Sequence, residues 1–418
     1  MILLALVEMC QRFSFWGIGN LLVLYLLQYH GMPAVKADHI FAIFTGAALV
    51  LPLLGGYVAD RWNHQHAVIY GCVLTAIGCF FMATNILAFV YIALVLVALG
   101  GCIFTPSIYT LLGSVYNDRH VLREAGFSIY YASVNIGVFA ALIIMGAIGN
   151  ANHWSAAFII AGIVQLIGLI PLRTALSRPK LEKMHFSDKS NFSMSSSNQP
   201  LLKRDKQRII VICVLALVSI VFWMSYNQGG SSLTIFALNY TQRQIGNFTL
   251  PPAWLLSFET LFLVILAVPL ASLYVYLAKK KLDPSPPMKT AYSLIVMGLC
   301  FLIMVFGARL IPMGAQTAAI SPGYLIFSYL LMAVGEMLLA PIGLALVTHL
   351  SPPRFTAFLV GLWYVCIGVA FYAGGVIATL MSSIENLENF FMIFVIATII
   401  PGFILMLFSK KLNAMRHL

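Results

Sequence analysis

The 418-residue chain is 61% hydrophobic and only 9% charged, which excludes an ordinary soluble domain and points to a chain that lives in lipid. Its formal net charge of +11 raises the question of a nucleic-acid partner, and the placement of the basic residues answers it. The seven cysteines stand in apolar segments without paired or Cys/His spacing, so they read as free packing thiols.

Hydropathy predicts twelve spans, at about 2–29, 40–60, 67–86, 88–116, 125–150, 154–174, 209–239, 252–278, 289–313, 323–350, 355–382 and 389–409. The first apolar run, continuing to about Tyr29, is too long for the core of a cleaved signal peptide. With these spans, Arg61, Arg119, Arg123, the basic stretch after the sixth span, Lys279 to Lys281, Lys289, Arg354, Lys410, Lys411 and Arg416 share one side. The other side carries only Lys36, Arg243 and Arg309. The positive-inside rule then expects a multi-pass protein of the plasma (inner) membrane with both termini and the central linker in the cytoplasm. Topology accounts for the basic charge, and nothing is left over that calls for nucleic acid.

In chain order, the first span carries the stretch EMCQRFSFWG, from Glu8 to Gly17. Glu8 and Arg12 are four residues apart and share one helical face, with Gln11 between them. Charged groups in hydrocarbon are costly unless they pair or face a watery cavity, so this stretch is a candidate site. At the junction of the second and third spans, GGYVADRWNHQH brings close-packing glycines to a span end and Asp60 with Arg61 to the cytoplasmic rim. A charge pair there can latch one conformation; the alternative is an ordinary polar turn. His64 and His66 read as solvated loop residues. Six spans end near Arg173, a Ser- and Lys/Arg-rich stretch follows as a flexible linker, and six more spans complete the chain. The expected domains are a bundle at 1–174, a linker at 175–208 and a bundle at 209–418.

Four ionisable side chains are predicted well inside spans: Glu8, Arg12, Glu259 and Glu336. The remaining acids are assigned to loops, the linker or helix ends. Arg12 can hold a substrate carboxylate through its planar fork, and surplus carboxylates removed from water can carry protons near neutral pH. Other readings stay open. Glu8 and Arg12 can simply neutralise one another, and Glu259 can contact water near an outer helix end. Glu336, between Gly335 and Pro341, is expected on a broken helix. No nucleophile–base pair or metal set is visible, so neither an enzyme nor a cofactor is expected, and a proton gradient is the expected energy source.

The six–linker–six layout looks like the major facilitator fold, an all-α membrane architecture of two six-helix bundles rocking about a midplane site. GGYVADRW resembles that superfamily's Asp-Arg motif, and longer motifs narrow the family. EMCQRFSFWG resembles the ExxERFxYYG start of the proton-dependent oligopeptide transporter (POT) family. FTPSIYTLLGSVYNDRHVLREAGFSIYYASVNIGVF is similar to its FKPN…DAGFSIFYxxINxGAF signature, and FWMSYNQGGSSLTIFA to FWxxYEQQGSSLTLFA. GEMLLAPIGLALVTHLSPPRFTAFLVGLWY resembles GExLLSPxGLxxVTKLxPxRxxxxxMGxWF, so the likeness runs through both halves.

That resemblance implies a proton-coupled symporter importing di- and tripeptides by alternating access, acting as a monomer in the bilayer. It implies that Arg12 binds the peptide carboxylate, Glu336 the amine and Asn135 the peptide backbone, while Trp363 walls the pocket. Glu8 takes part in proton coupling, with Glu336 and Glu259 as further candidate carriers. Tyr131 and Gln228 match neighbouring pocket positions, and for these a packing role is an equal alternative.

Departures from the family pattern matter as much. Its second helix-1 acid is Gln11, its helix-4 Lys is Thr105, the acid of YEQQ is Asn227, and Glu259 stands where an amine-binding Asn is expected. The cavity keeps the formal charge of −2 that the family pattern carries, now from Glu8, Glu259 and Glu336 against Arg12. Weaker carboxylate binding and stronger amine binding imply a substrate more cationic or less anionic than a generic dipeptide. Two alternatives stand beside it: an amino acid, amine or other small metabolite carried on the same fold, or a nutrient sensor. The short linker and C-terminal tail speak against the sensor.

Overall fold

The computed structural model describes residues 2–56, 64–115, 120–176, 203–352 and 356–417. Twelve of its helices are long and apolar enough to cross a membrane. Two compact units emerge, Met1–Ser193 with Leu250–Thr260, and Met194–Thr249 with Leu261–Leu418.

The first unit is built from α1 (Ile2–Gln28), α2 (Ala34–Val50, continued to Gly56), α3 (His64–Ala83), α4 (Leu87–Val115), α5 (His120–Asn150), α6 (Trp154–Ile167) and the short α7 (Leu169–Leu176). Lipid offers apolar side chains as good a surrounding as a protein core does, so tight backbone approach must hold these helices together. Gly55 shows how tight it is: a methyl group placed there would run into the Cys102 carbonyl oxygen of α4. That contact is the close packing expected of the glycines ending the second span. Beneath it, Leu4, Val7, Val68, Phe104, Ile108 and Leu172 interlock as one apolar cluster. The start of α10 joins this unit through Trp254, whose Nε1 donates to the Ile143 carbonyl at 3.0 Å.

The second unit begins with α8 (Lys203–Tyr226), which runs through a 3-10 turn at Asn227–Gly230 into α9 (Ser232–Asn239). A small antiparallel hairpin, β1 (Gln244–Ile245) and β2 (Phe248–Thr249), leads to α10 (Pro252–Lys279). The unit closes with α11 (Pro286–Ala308), α12 (Gly323–Leu350), α13 (Thr356–Ala378) and α14 (Leu387–His417). Stacked rings of Phe301 and Phe394, 4.8 Å apart, pack α11 on α14. At the exposed end of the same pair, Arg309 Nη2 meets Glu388 Oε1 at 2.6 Å, and the Glu388 carboxylate holds that guanidinium above its usual pKa. Glu388 lies in the first turn of α14, where the helix dipole also favours a negative charge.

Two expectations need correction. Pro341 does not break its helix: α12 is continuous from Gly323 to Leu350. A proline in a bundle forfeits one backbone bond, and neighbouring helices can absorb that loss. The second span starts at Ala34, directly after Pro33, and not near residue 40. Asp38, assigned to the loop or helix-end acids, therefore lies inside a spanning helix and is 1% exposed.

Candidate functional site

The centre of the first unit is the ion pair made by the expected charged face of α1. Arg12 Nε donates to Glu8 Oε1 at 2.5 Å, with Arg12 12% exposed and Glu8 fully buried. The helical spacing alone produces this geometry, because residues four apart stack on one face. Glu8 Oε2 has no hydrogen-bond partner among the described residues, leaving this buried carboxylate an open acceptor. α5 crosses α1 at this level, since a methyl at Gly137 would run into the Met9 carbonyl oxygen. Asn135, two residues earlier on α5, is also buried. Thr105 is half-buried on α4.

Gln11, one turn from Glu8, is buried in the bundle. Its Oε1 accepts from Gln165 Nε2 at 2.6 Å, and its Nε2 donates to Thr75 Oγ1 at 3.4 Å. Thr75 in turn donates to the Gly71 carbonyl at 2.9 Å. This chain of neutral groups ties α1 to α6 and α3, and a glutamate at position 11 would bring an extra buried charge into it. Gln165 and Thr75 were not recognisable in advance. A lone amide inside an apolar run was the available signal, but its meaning depends on which helix it meets.

Glu259 lies two turns into α10 and is 5% exposed, so it is a buried carboxylate and not a water-facing one. Thr260 Oγ1 donates to its Oε2 at 3.2 Å. In the second unit, the 3-10 turn that interrupts the seventh span is stapled to α13. Asn227 Nδ2 donates to the Phe371 carbonyl and Gln228 Nε2 to the Gly374 carbonyl, each at 2.8 Å. Ser232 Oγ completes the staple by donating to Gln228 Oε1 at 2.6 Å. The donors of these two amides thus serve the helix break. Trp363 is buried on α13, and Glu336 is half-buried on α12 directly after Gly335, whose backbone packs on the Phe222 ring. Asp60 and Arg61 lie outside the described residues, and Tyr131 lies on α5 with its side chain outside the described set. Among the described residues, no group of three His, Cys, Asp or Glu side chains is placed to hold a metal.

The sequence matches the family model described as PTR2, POT family, over residues 65–175 and 174–394. The chain belongs to the POT family. Among its POT relatives is the peptide transporter YePEPT of Yersinia enterocolitica, 28% identical over 90% of this chain and 86% of the relative. The dipeptide and tripeptide permease A of Salmonella typhimurium is 25% identical over 98% of this chain and 91% of the relative. A crystal structure of a POT peptide transporter variant in complex with alafosfalin superposes with a TM-score of 0.86 at 25% identity, covering 99% of this chain and 95% of that one. The protein is therefore a multi-pass membrane protein with the POT variant of the major facilitator fold.

Proposed function

We propose that this protein is a proton-coupled importer of small peptides in the plasma (inner) membrane, with both termini cytoplasmic, working by alternating access. The observation that carries the reading is the buried Glu8–Arg12 pair in a chain whose POT relatives include peptide transporters. A guanidinium held by one carboxylate can exchange it for another. When Glu8 takes a proton it loses its claim on Arg12, and the freed fork binds the peptide's carboxylate. Protonation and substrate binding together leave no uncompensated charge when the surrounding closes, the condition for a loaded carrier to reorient cheaply. The membrane potential and the pH gradient supply the work.

In this reading Glu336 takes the peptide amine, Glu259 adds a further negative charge, Asn135 bonds the peptide backbone and Trp363 walls the pocket. Asp60 and Arg61 latch one conformation at the cytoplasmic rim. Thr105 offers no cation beside Arg12, so selectivity shifts toward substrates with positive charge. Competition against uptake of a labelled neutral dipeptide is expected to rank lysyl dipeptides above neutral ones and acidic dipeptides last. Acidic dipeptides competing best would overturn the assignment of Glu259 and Thr105.

A further inference from the structure

Asp38 is an ionisable group in a spanning helix that the reading above leaves without a task. It sits on the second turn of α2, 1% exposed, on the face formed by Ala37, Phe41, Ala42, Thr45 and Ala48. Its Oδ1 has no hydrogen-bond partner among the described residues. Thr45, two turns further along that face, donates back to the Phe41 carbonyl at 2.8 Å.

The other ionisable groups at this level are occupied or turned away. On α1, Tyr25 donates its hydroxyl to Asn85 Oδ1 at 3.0 Å, and His30, in the loop that follows, lies 3.0 Å from the same hydroxyl. Burial pushes the His30 pKa down, which disfavours its charged form. On α4, Tyr91 is 40% exposed. On α2 itself, Lys36 and His39 are exposed, whereas Asp38 points into the bundle. The α1–α2 register is set where a methyl at Gly19 would touch the Phe44 ring at 3.4 Å. From that crossing Asp38 lies six residues one way and Arg12 seven residues the other, about 20 Å apart at 1.5 Å per residue. Asp38 is thus not a member of the Glu8–Arg12 centre.

An ionised carboxylate without a partner is expensive in a dry interior, whereas the neutral acid is tolerated. Such a group binds a proton when enclosed and yields it when its surroundings open to water. We propose that Asp38 is a second proton-binding residue of the transport cycle, at the end of the first unit opposite Glu8, supplying the ionisable carboxyl that Gln11 lacks. The proposal rests on the proton-coupled reading given above. Its step is a proton transfer alone: hydronium on the α1–α2 loop side gives its proton to the carboxylate, one O–H bond forms, and water is left.

The full-length protein in liposomes, with dialanine as probe and the outside more acidic, tests it. The wild type and Asp38→Glu are expected to concentrate dialanine. Asp38→Asn and Asp38→Ser are expected to equilibrate it without concentrating it, while gradient-free counterflow stays within about twofold of wild type. Accumulation by Asp38→Asn at the wild-type level overturns the proposal, as does loss of counterflow in both neutral variants, which makes Asp38 a packing residue. A wild type that does not concentrate dialanine defeats the proton-coupled reading itself, a result seen before any variant is made.

Discussion

Arg12→Ala is expected to be the most destabilising single change at the candidate site, costing about 3 kcal/mol of folding free energy. The reason is the loss of compensation more than the loss of attraction. Glu8 is fully buried, its Oε2 already lacks a partner among the described residues, and Arg12 is the cation bonded to Oε1. Removing the guanidinium leaves a carboxylate that must either stay charged in a dry site or take up a proton, and both outcomes cost stability. Glu8→Gln removes the charge and keeps the shape, so the double variant Glu8→Gln with Arg12→Ala should recover much of the loss. Reversible denaturant titration of the four proteins in one detergent measures this as a coupling energy. Equal stability of wild type and Arg12→Ala would mean that the pair carries no structural weight.

Glu8→Gln is expected to have the largest effect on transport. A glutamine can still accept from Arg12, but it cannot bind and release the proton that the cycle requires. Uphill accumulation of a dipeptide should be abolished, while exchange between pools of labelled and unlabelled peptide continues, because exchange needs no net proton movement. Accumulation that persists in Glu8→Gln would remove Glu8 from the coupling path. The change also separates the two roles of the pair, since a variant that retains exchange must still be folded and able to bind.

The spans were legible because each apolar run is long enough to cross a bilayer, and hydropathy reads length directly. Glu8 and Arg12 were legible for a related reason: two charges four residues apart in an apolar run can only be stacked on one helix face. Placement against other helices was not legible. Gln11 reads in the sequence as a missing acid, yet its amide is the middle of a bonded chain from Gln165 to Thr75. Gln228 reads equally as a pocket or a packing group and Asn227 as a replaced acid; only the structure shows that their amide donors staple a helix break to α13. Asp38 was assigned outside the membrane because its polar neighbours Lys36 and His39 pushed the apparent span start inward. The helix start is governed by Pro33, which ends the preceding loop, and burial then depends on one turn of register. Pro341 misled in the opposite direction, because α12 runs through a residue that would break an isolated helix. For the buried amides it is the partner helix, unseen in the sequence, that decides their role.

Uptake of dialanine by the purified wild-type protein in liposomes, with acid outside and with or without a protonophore, tests the central claim most directly. The account predicts an internal concentration that rises above the external one and falls back to it when the protonophore is added. Uptake that only equilibrates, or accumulation that is indifferent to the protonophore, would contradict it.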